Sequence, residues 1–177
     1  MSSDYFLALE ICDFSPSRRF YEPEAGLSGL VLLVILMNNI EVNDIYQMSN
    51  PKIVVFTCNW NAYSGLETAG SNNLSYSPVV RPIKVMCLGR LRPGNILKAF
   101  EKGAAGVLLM GCAPGDCYYE FGNRHAEEVF EETRELTMLL GYSEEQLQLH
   151  WVAAGDGEAF VEKVRDFVTG LNGKQRS

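Results

Sequence analysis

The sequence predicts an α/β protein: a small, flavodoxin-like, doubly wound parallel sheet of four strands carried by residues 51–171. An extension over residues 1–50 precedes it and a polar tail over residues 172–177 follows. Three observations carry this prediction. Beyond Pro51, short apolar runs alternate four times with helical patterns, the signature of parallel strands joined by crossover helices. Those runs lack period-two alternation, as expected of strands covered on both faces. A chain of 177 residues with 47% apolar composition also suffices for one domain with one core, which excludes a disordered chain.

Taken in order, Lys52–Cys58 (KIVVFTC) is a β-branched strand run, followed by a segment rich in Asn, Ser and Gly. Ile83–Leu88 (IKVMCL) is the second run. Residues 92–103 then read as a helix, with Pro93 near its start and Gly103 at its end. Gly106–Cys112 (GVLLMGC) is the third strand. Residues 124–140 follow as an amphipathic helix, with Val129, Thr133, Leu136 and Leu140 inward, Glu127, Glu128, Glu131, Glu132 and Glu135 outward, and Gly141 as its stop. Leu147–Ala154 is the fourth strand. A last helix over residues 157–171 turns Phe160, Val164, Phe167 and Val168 inward, with Asp156-Gly157-Glu158 capping it. Right-handed crossovers place the first strand inside the sheet, with helices on both faces. Residues 1–50 do not join this alternation, and their apolar stretch Leu30–Met37 reads equally as buried strand or helix.

The formal net charge of -7 repels phosphate backbones and anionic bilayers, so neither nucleic acid nor membrane is an expected partner. Residues 26–37, the longest uncharged apolar run, fall short of the ~18–20 residues that cross hydrocarbon. The start, MSSDYFLALEICDF, lacks the basic n-region of a signal peptide. The expected compartment is therefore a reducing cytoplasm, in which five cysteines, an odd number, are thiols or ligands rather than disulfides. Neither a Gly-x-Gly-x-x-Gly turn nor a Walker loop is present, which removes the usual signs of a nucleotide site.

The cysteines gain meaning from the predicted fold. Cys58 closes the first strand, Cys87 stands near the end of the second, Cys112 closes the third, and Cys117 lies in the loop after it. In a parallel sheet the carboxyl ends share one edge, so four sulfurs converge there. Asn59, Gly89, Gly111, Pro114 and Gly115, set beside the cysteines, allow turns whose N–H groups can face an anion. Zinc accepts four thiolates, although its structural sites usually draw ligands from close-set pairs, and here only Cys112 and Cys117 are near in sequence. Iron-sulfur centres take scattered thiolates, including a C-x4-C spacing. Arg90 and Arg92, just past Cys87, would stabilise the negative charge of such a centre. A nucleophilic thiol of the tyrosine-phosphatase kind needs Arg six residues after Cys, and the chain has Ser64, Pro93 and Tyr118 there. His125 and His150 read as structural, and Cys12, beside Ile11, as a buried or spare thiol. These residues leave three classes open: an electron-transfer centre, a zinc-stabilised interaction module and a small cytosolic thiol enzyme.

Five stretches together resemble one family: Cys58-Asn59-Trp60 with Tyr63, Val85 to Arg90, Ala99 to Ala104 with Gly106-Val107, Gly111 to Tyr119 with Gly122-Asn123, and Trp151 to Ala154. The family is the delta (iron-sulfur) subunit of methyl-viologen-reducing [NiFe] hydrogenases, which works with heterodisulfide reductase in anaerobic organisms. The resemblance implies a [2Fe-2S] cluster on Cys58, Cys87, Cys112 and Cys117, with Gly89, Arg90, Gly115 and Asn123 around it. It also implies electron delivery from a hydrogenase or formate dehydrogenase to the flavin subunit of heterodisulfide reductase. No substrate-turnover site is expected, because no base, nucleophile or cofactor loop accompanies the thiolates. Three positions depart from the family pattern: Asn61 where many relatives carry a further Cys, and Ala113 and Tyr118 where His is usual.

Overall fold

The computed structural model describes residues 52–174; the readings of Cys12, of Leu30–Met37 and of residues 1–50 as an extension fall outside them. Four strands and four longer helices alternate: β1 (Lys52–Cys58), α1 (Asn61–Ser71), β2 (Val80–Val85), α2 (Pro93–Glu101), β3 (Ala104–Cys112), α3 (Gly122–Leu139), β4 (Leu147–Val152) and α4 (Gly157–Lys174). All strand pairs are parallel, and the sheet order is β2-β1-β3-β4. This is the doubly wound, flavodoxin-like order with the first strand inside, as the crossover argument predicts. Helices α1 and α4 pack against each other, as do α2 and α3, which covers the two faces of the sheet.

β1 and β3 carry the core because each has a strand on either side and helices above and below. Val54, Val55, Val107 and Leu108 are fully buried, and Phe160, Val164 and Phe167 are buried along the inward stripe of α4. At about 25 cal/mol per Å² of apolar surface, such side chains supply most of the drive to fold.

Several boundaries differ from the sequence reading, among them the start of β3 at Ala104 and the end of β4 at Val152, and three differences have a structural consequence. β2 begins at Val80, three residues before the predicted start, and ends at Val85, so Cys87 lies beyond the strand. Pro82 argues against a central strand, but β2 is an edge strand, where a missing N–H is tolerated. Second, α3 begins at Gly122 and buries Ala126, Thr133 and Thr137, while Leu136 and Leu140 stand 36% and 64% exposed. Hydropathy favours leucine for the inward stripe. Here the threonines turn inward because each hydroxyl is satisfied within the helix, Thr133 on the Val129 carbonyl and Thr137 on that of Arg134. Third, α4 continues to Lys174, past the predicted tail boundary.

Truncation distinguishes these two stripes. Phe160→Ala, at a site with 0% exposure, is expected to lower unfolding free energy by about 3–5 kcal/mol. Leu140→Ala, at a position the periodicity assigned to the core, is expected to change it by less than about 0.5 kcal/mol. Urea unfolding followed by circular dichroism measures both.

Candidate metal centre

β1 and β3 are neighbours, and their carboxyl ends bring two sulfurs together: Cys58 Sγ lies 3.3 Å from Cys112 Sγ, both buried. The chain turns directly from β1 into α1, which has no side-chain cap at its start. Cys58 takes that role. Its sulfur accepts the Ala62 N–H at 3.4 Å, and the N–H groups of Trp60 and Asn61 also face it. The Asn61 N–H is directed at Cys112 as well, and Asn61 is itself a buried part of the site.

The second pair forms at the start of α3. Cys87 is the extended residue before a 3-10 turn (Leu88–Arg90), and Cys117 sits in the loop after β3. That loop is shaped by a turn over residues 113–116, closed by Asp116 N–H on the Ala113 carbonyl at 3.0 Å. Its third residue, Gly115, has φ +90, a conformation that favours glycine. Asn123 Nδ2 donates to the same Ala113 carbonyl at 3.1 Å and ties the loop to α3. The two sulfurs flank Gly122, the first residue of α3: a methyl group there would overlap Cys87 Sγ and stand 2.9 Å from Cys117 Sγ. Gly89 lies against the Gly122 backbone, where a methyl group would overlap the Gly122 carbonyl oxygen.

Each pair therefore stands beside the start of a helix, and at α1 the free N–H groups and the helix dipole favour thiolate on Cys58. In the metal-free chain the Cys58 thiol is lowered to about 6, first by the hydrogen bond from Cys112 and then by the surrounding N–H groups, with burial opposing. Cys112 is raised correspondingly, by that same hydrogen bond and by burial. Burial also raises Cys87, and the Gly89 N–H opposes it. Cys58 acts electrostatically on Cys87, and Cys117 on Cys112, so the pairs lie within reach of each other. Among the described residues no three Cys, His, Asp or Glu side chains surround a single ion position; the thiols stand two by two.

Of the predicted surroundings, Gly89, Gly115 and Asn123 shape the site, while Arg90 is exposed on the 3-10 turn beside it. His125 pairs with Glu128 at 3.1 Å and His150 with Gln148 at 3.0 Å. Burial and the Lys163 ammonium lower the His150 pKa, with Asp166 opposing. Sequence reasoning missed an aromatic cover: Trp60 stacks on Tyr118 with centroids 3.9 Å apart and meets Tyr119 edge-on, and Phe121 is exposed beside them. It also missed the role of Gly122, whose one sequence signal is a glycine at the first position of a helix.

Residues 53–173 match the family model described as methyl-viologen-reducing hydrogenase, delta subunit. The chain belongs to that family. Its relatives include an iron-sulfur subunit of the F420-non-reducing hydrogenase of Methanococcus voltae, 43% identical over 116 residues, which covers 66% of this chain and 81% of the relative. The iron-sulfur subunit of the F420-non-reducing hydrogenase of Archaeoglobus profundus is 38% identical over 117 residues, 66% of this chain and 85% of the relative. One subunit of the ferredoxin:CoB-CoM heterodisulfide reductase of Methanosarcina mazei is 33% identical over 121 residues, 68% of this chain but 15% of that longer protein. In this family member no described helix is long and apolar enough to cross a membrane.

In the metal-free chain, alkylation of Cys58 by iodoacetamide is expected to rise with pH through about 6, well below the ordinary thiol range. Cys112→Ala removes the hydrogen bond that contributes most to this lowering, so the midpoint is expected to move upward. Peptide-resolved mass spectrometry across pH follows the change.

Proposed function

We propose that the chain is an electron-relay subunit that holds one [2Fe-2S] cluster on Cys58, Cys87, Cys112 and Cys117. In this reading it passes electrons from a hydrogenase or formate dehydrogenase to the flavin subunit of a heterodisulfide reductase, in a reducing cytoplasm. Family membership and the likeness to part of a heterodisulfide reductase support the broader role, a place in a hydrogenase and heterodisulfide reductase electron-transfer complex. Relatives named iron-sulfur subunits support the class of cofactor. The observation that carries the finer reading is the pairing of the thiols, Cys58 with Cys112 and Cys87 with Cys117 around Gly122. Two pairs suit a centre that takes two thiolates on each of two irons, whereas a single zinc draws four around one point.

When bound, such a cluster accepts and releases one electron at a time. The chain's own contribution is binding and charge. Backbone N–H groups of Trp60, Asn61 and Ala62 face Cys58, and the Gly89 N–H faces Cys87, so the protein stabilises thiolate without a buried cation. Arg90 adds positive charge at the rim. Trp60, two residues past Cys58, stacks on Tyr118, which follows Cys117, and Met86, Tyr119 and Phe121 near the same cysteines in sequence are exposed. In this reading these aromatics are where a partner would approach the centre.

Anaerobic purification followed by iron, sulfide and zinc analysis tests the cofactor. About two irons and two sulfides per chain are expected; stoichiometric zinc without sulfide contradicts the reading. Single Cys→Ala changes at 58, 87, 112 and 117 are each expected to abolish full occupancy, while Cys12→Ala leaves it intact. Affinity purification of the tagged chain from its native cells at low salt tests the partners. Recovery with a flavoprotein and a hydrogenase or formate dehydrogenase is expected, and recovery alone counts against the relay.

A further inference from the structure

We infer that Gly122 is a positioning residue for the thiol quartet: the space left by its missing side chain is where the Cys87 and Cys117 sulfurs come together. Its consequence for metal loading rests on the proposed cluster, but the packing argument does not.

Glycine can be required for its backbone or for its size, and the structure separates the two. Four glycines have positive φ, at 103, 115, 141 and 155, and Gly122 is not among them. Any L-residue could adopt its helical conformation, and at this first position of the helix alanine would favour it by less than the ~1 kcal/mol of a helix interior. Size remains as the reason. A methyl group at 122 would overlap Cys87 Sγ and come within 2.9 Å of Cys117 Sγ, below the ~3.5–4.0 Å of ordinary nonbonded contact. Its third neighbour, Tyr119 Cβ, is at 3.8 Å, so the two sulfurs are the whole obstacle.

The backbones that carry the two sulfurs are anchored, so relief would come from turning the Sγ atoms away from position 122. The Cys87 carbonyl accepts the Arg90 N–H at 3.2 Å, and Gly89 wedges the same turn against Gly122. The Cys117 carbonyl accepts the Glu120 N–H at 2.9 Å, in a loop that Asn123 holds to α3. A side chain at 122 would therefore push the two sulfurs apart. By contrast, a methyl group at Gly70 or Gly94 meets nothing within 4 Å.

The test is a substitution cycle in the full chain. In the metal-free protein, Gly122→Ala is expected to lower the thermal midpoint by at least about 4 °C. In a Cys87→Ala, Cys117→Ala background the same change is expected to leave the midpoint unchanged or raise it. A Gly122→Ala protein that fails to fold alone but folds in that background supports the inference equally. An equal loss with and without the sulfurs overturns it, whatever the cofactor proves to be. After anaerobic reconstitution with ferrous iron and sulfide, Gly122→Ala is expected to hold at least ten-fold less iron than the unsubstituted chain, and Gly70→Ala to match it. Full iron content with an unchanged visible spectrum in Gly122→Ala also overturns it. Should the unsubstituted chain bind neither iron nor sulfide, the proposed function falls, and the metal-free cycle still decides the role of Gly122.

Discussion

The site depends on the parallel pairing of β1 with β3, which ends both strands at one edge and sets Cys58 Sγ 3.3 Å from Cys112 Sγ. Two thiols held that close in a buried position do not both carry charge: Cys58 is lowered and Cys112 raised by the hydrogen bond between them. The amino end of α1 favours the charge on Cys58, with three N–H groups directed at it. The hydrophobic effect that buries Val54, Val55, Val107 and Leu108 thus also fixes the chemistry at the end of the same strands. Both cysteines are the last residues of core strands.

The second pair is built by different means. Cys87 and Cys117 lie outside the strands, in turns that a sheet alone would not bring into register. A backbone contact between Gly89 and Gly122, a positive-φ turn at Gly115 and the Asn123 bond to Ala113 close the distance. One pair is thus set by ladder register and the other by glycine-permitted approach. Both pairs stand beside the first turn of a helix, α1 for one and α3 for the other.

Much of this arrangement is legible in the residues. The β-branched run of β1 has the predicted bounds, and Pro93 marks the start of α2. The placement of Cys58 and Cys112 at strand ends follows from the end of each apolar run. Other features resist a linear reading. Pro82 suggests a break, yet it lies in a strand because β2 is at the sheet edge. Leu136 and Leu140 suggest the inward face of α3, yet threonines whose hydroxyls bond within the helix occupy it. The Trp60–Tyr118 stack joins residues from loops after different strands, and no local pattern announces it.

By itself, the sequence determined the class of fold, the strand count and the four cysteines at one sheet edge, because local hydrophobic patterning and chain handedness suffice for these. Only the tertiary structure decided which sulfur meets which and where a side chain is forbidden. Those are questions of distance between residues such as Cys87, Cys117 and Gly122, which are separate in the chain. Their approach is set by backbone contacts and turn geometry, and hydropathy records neither.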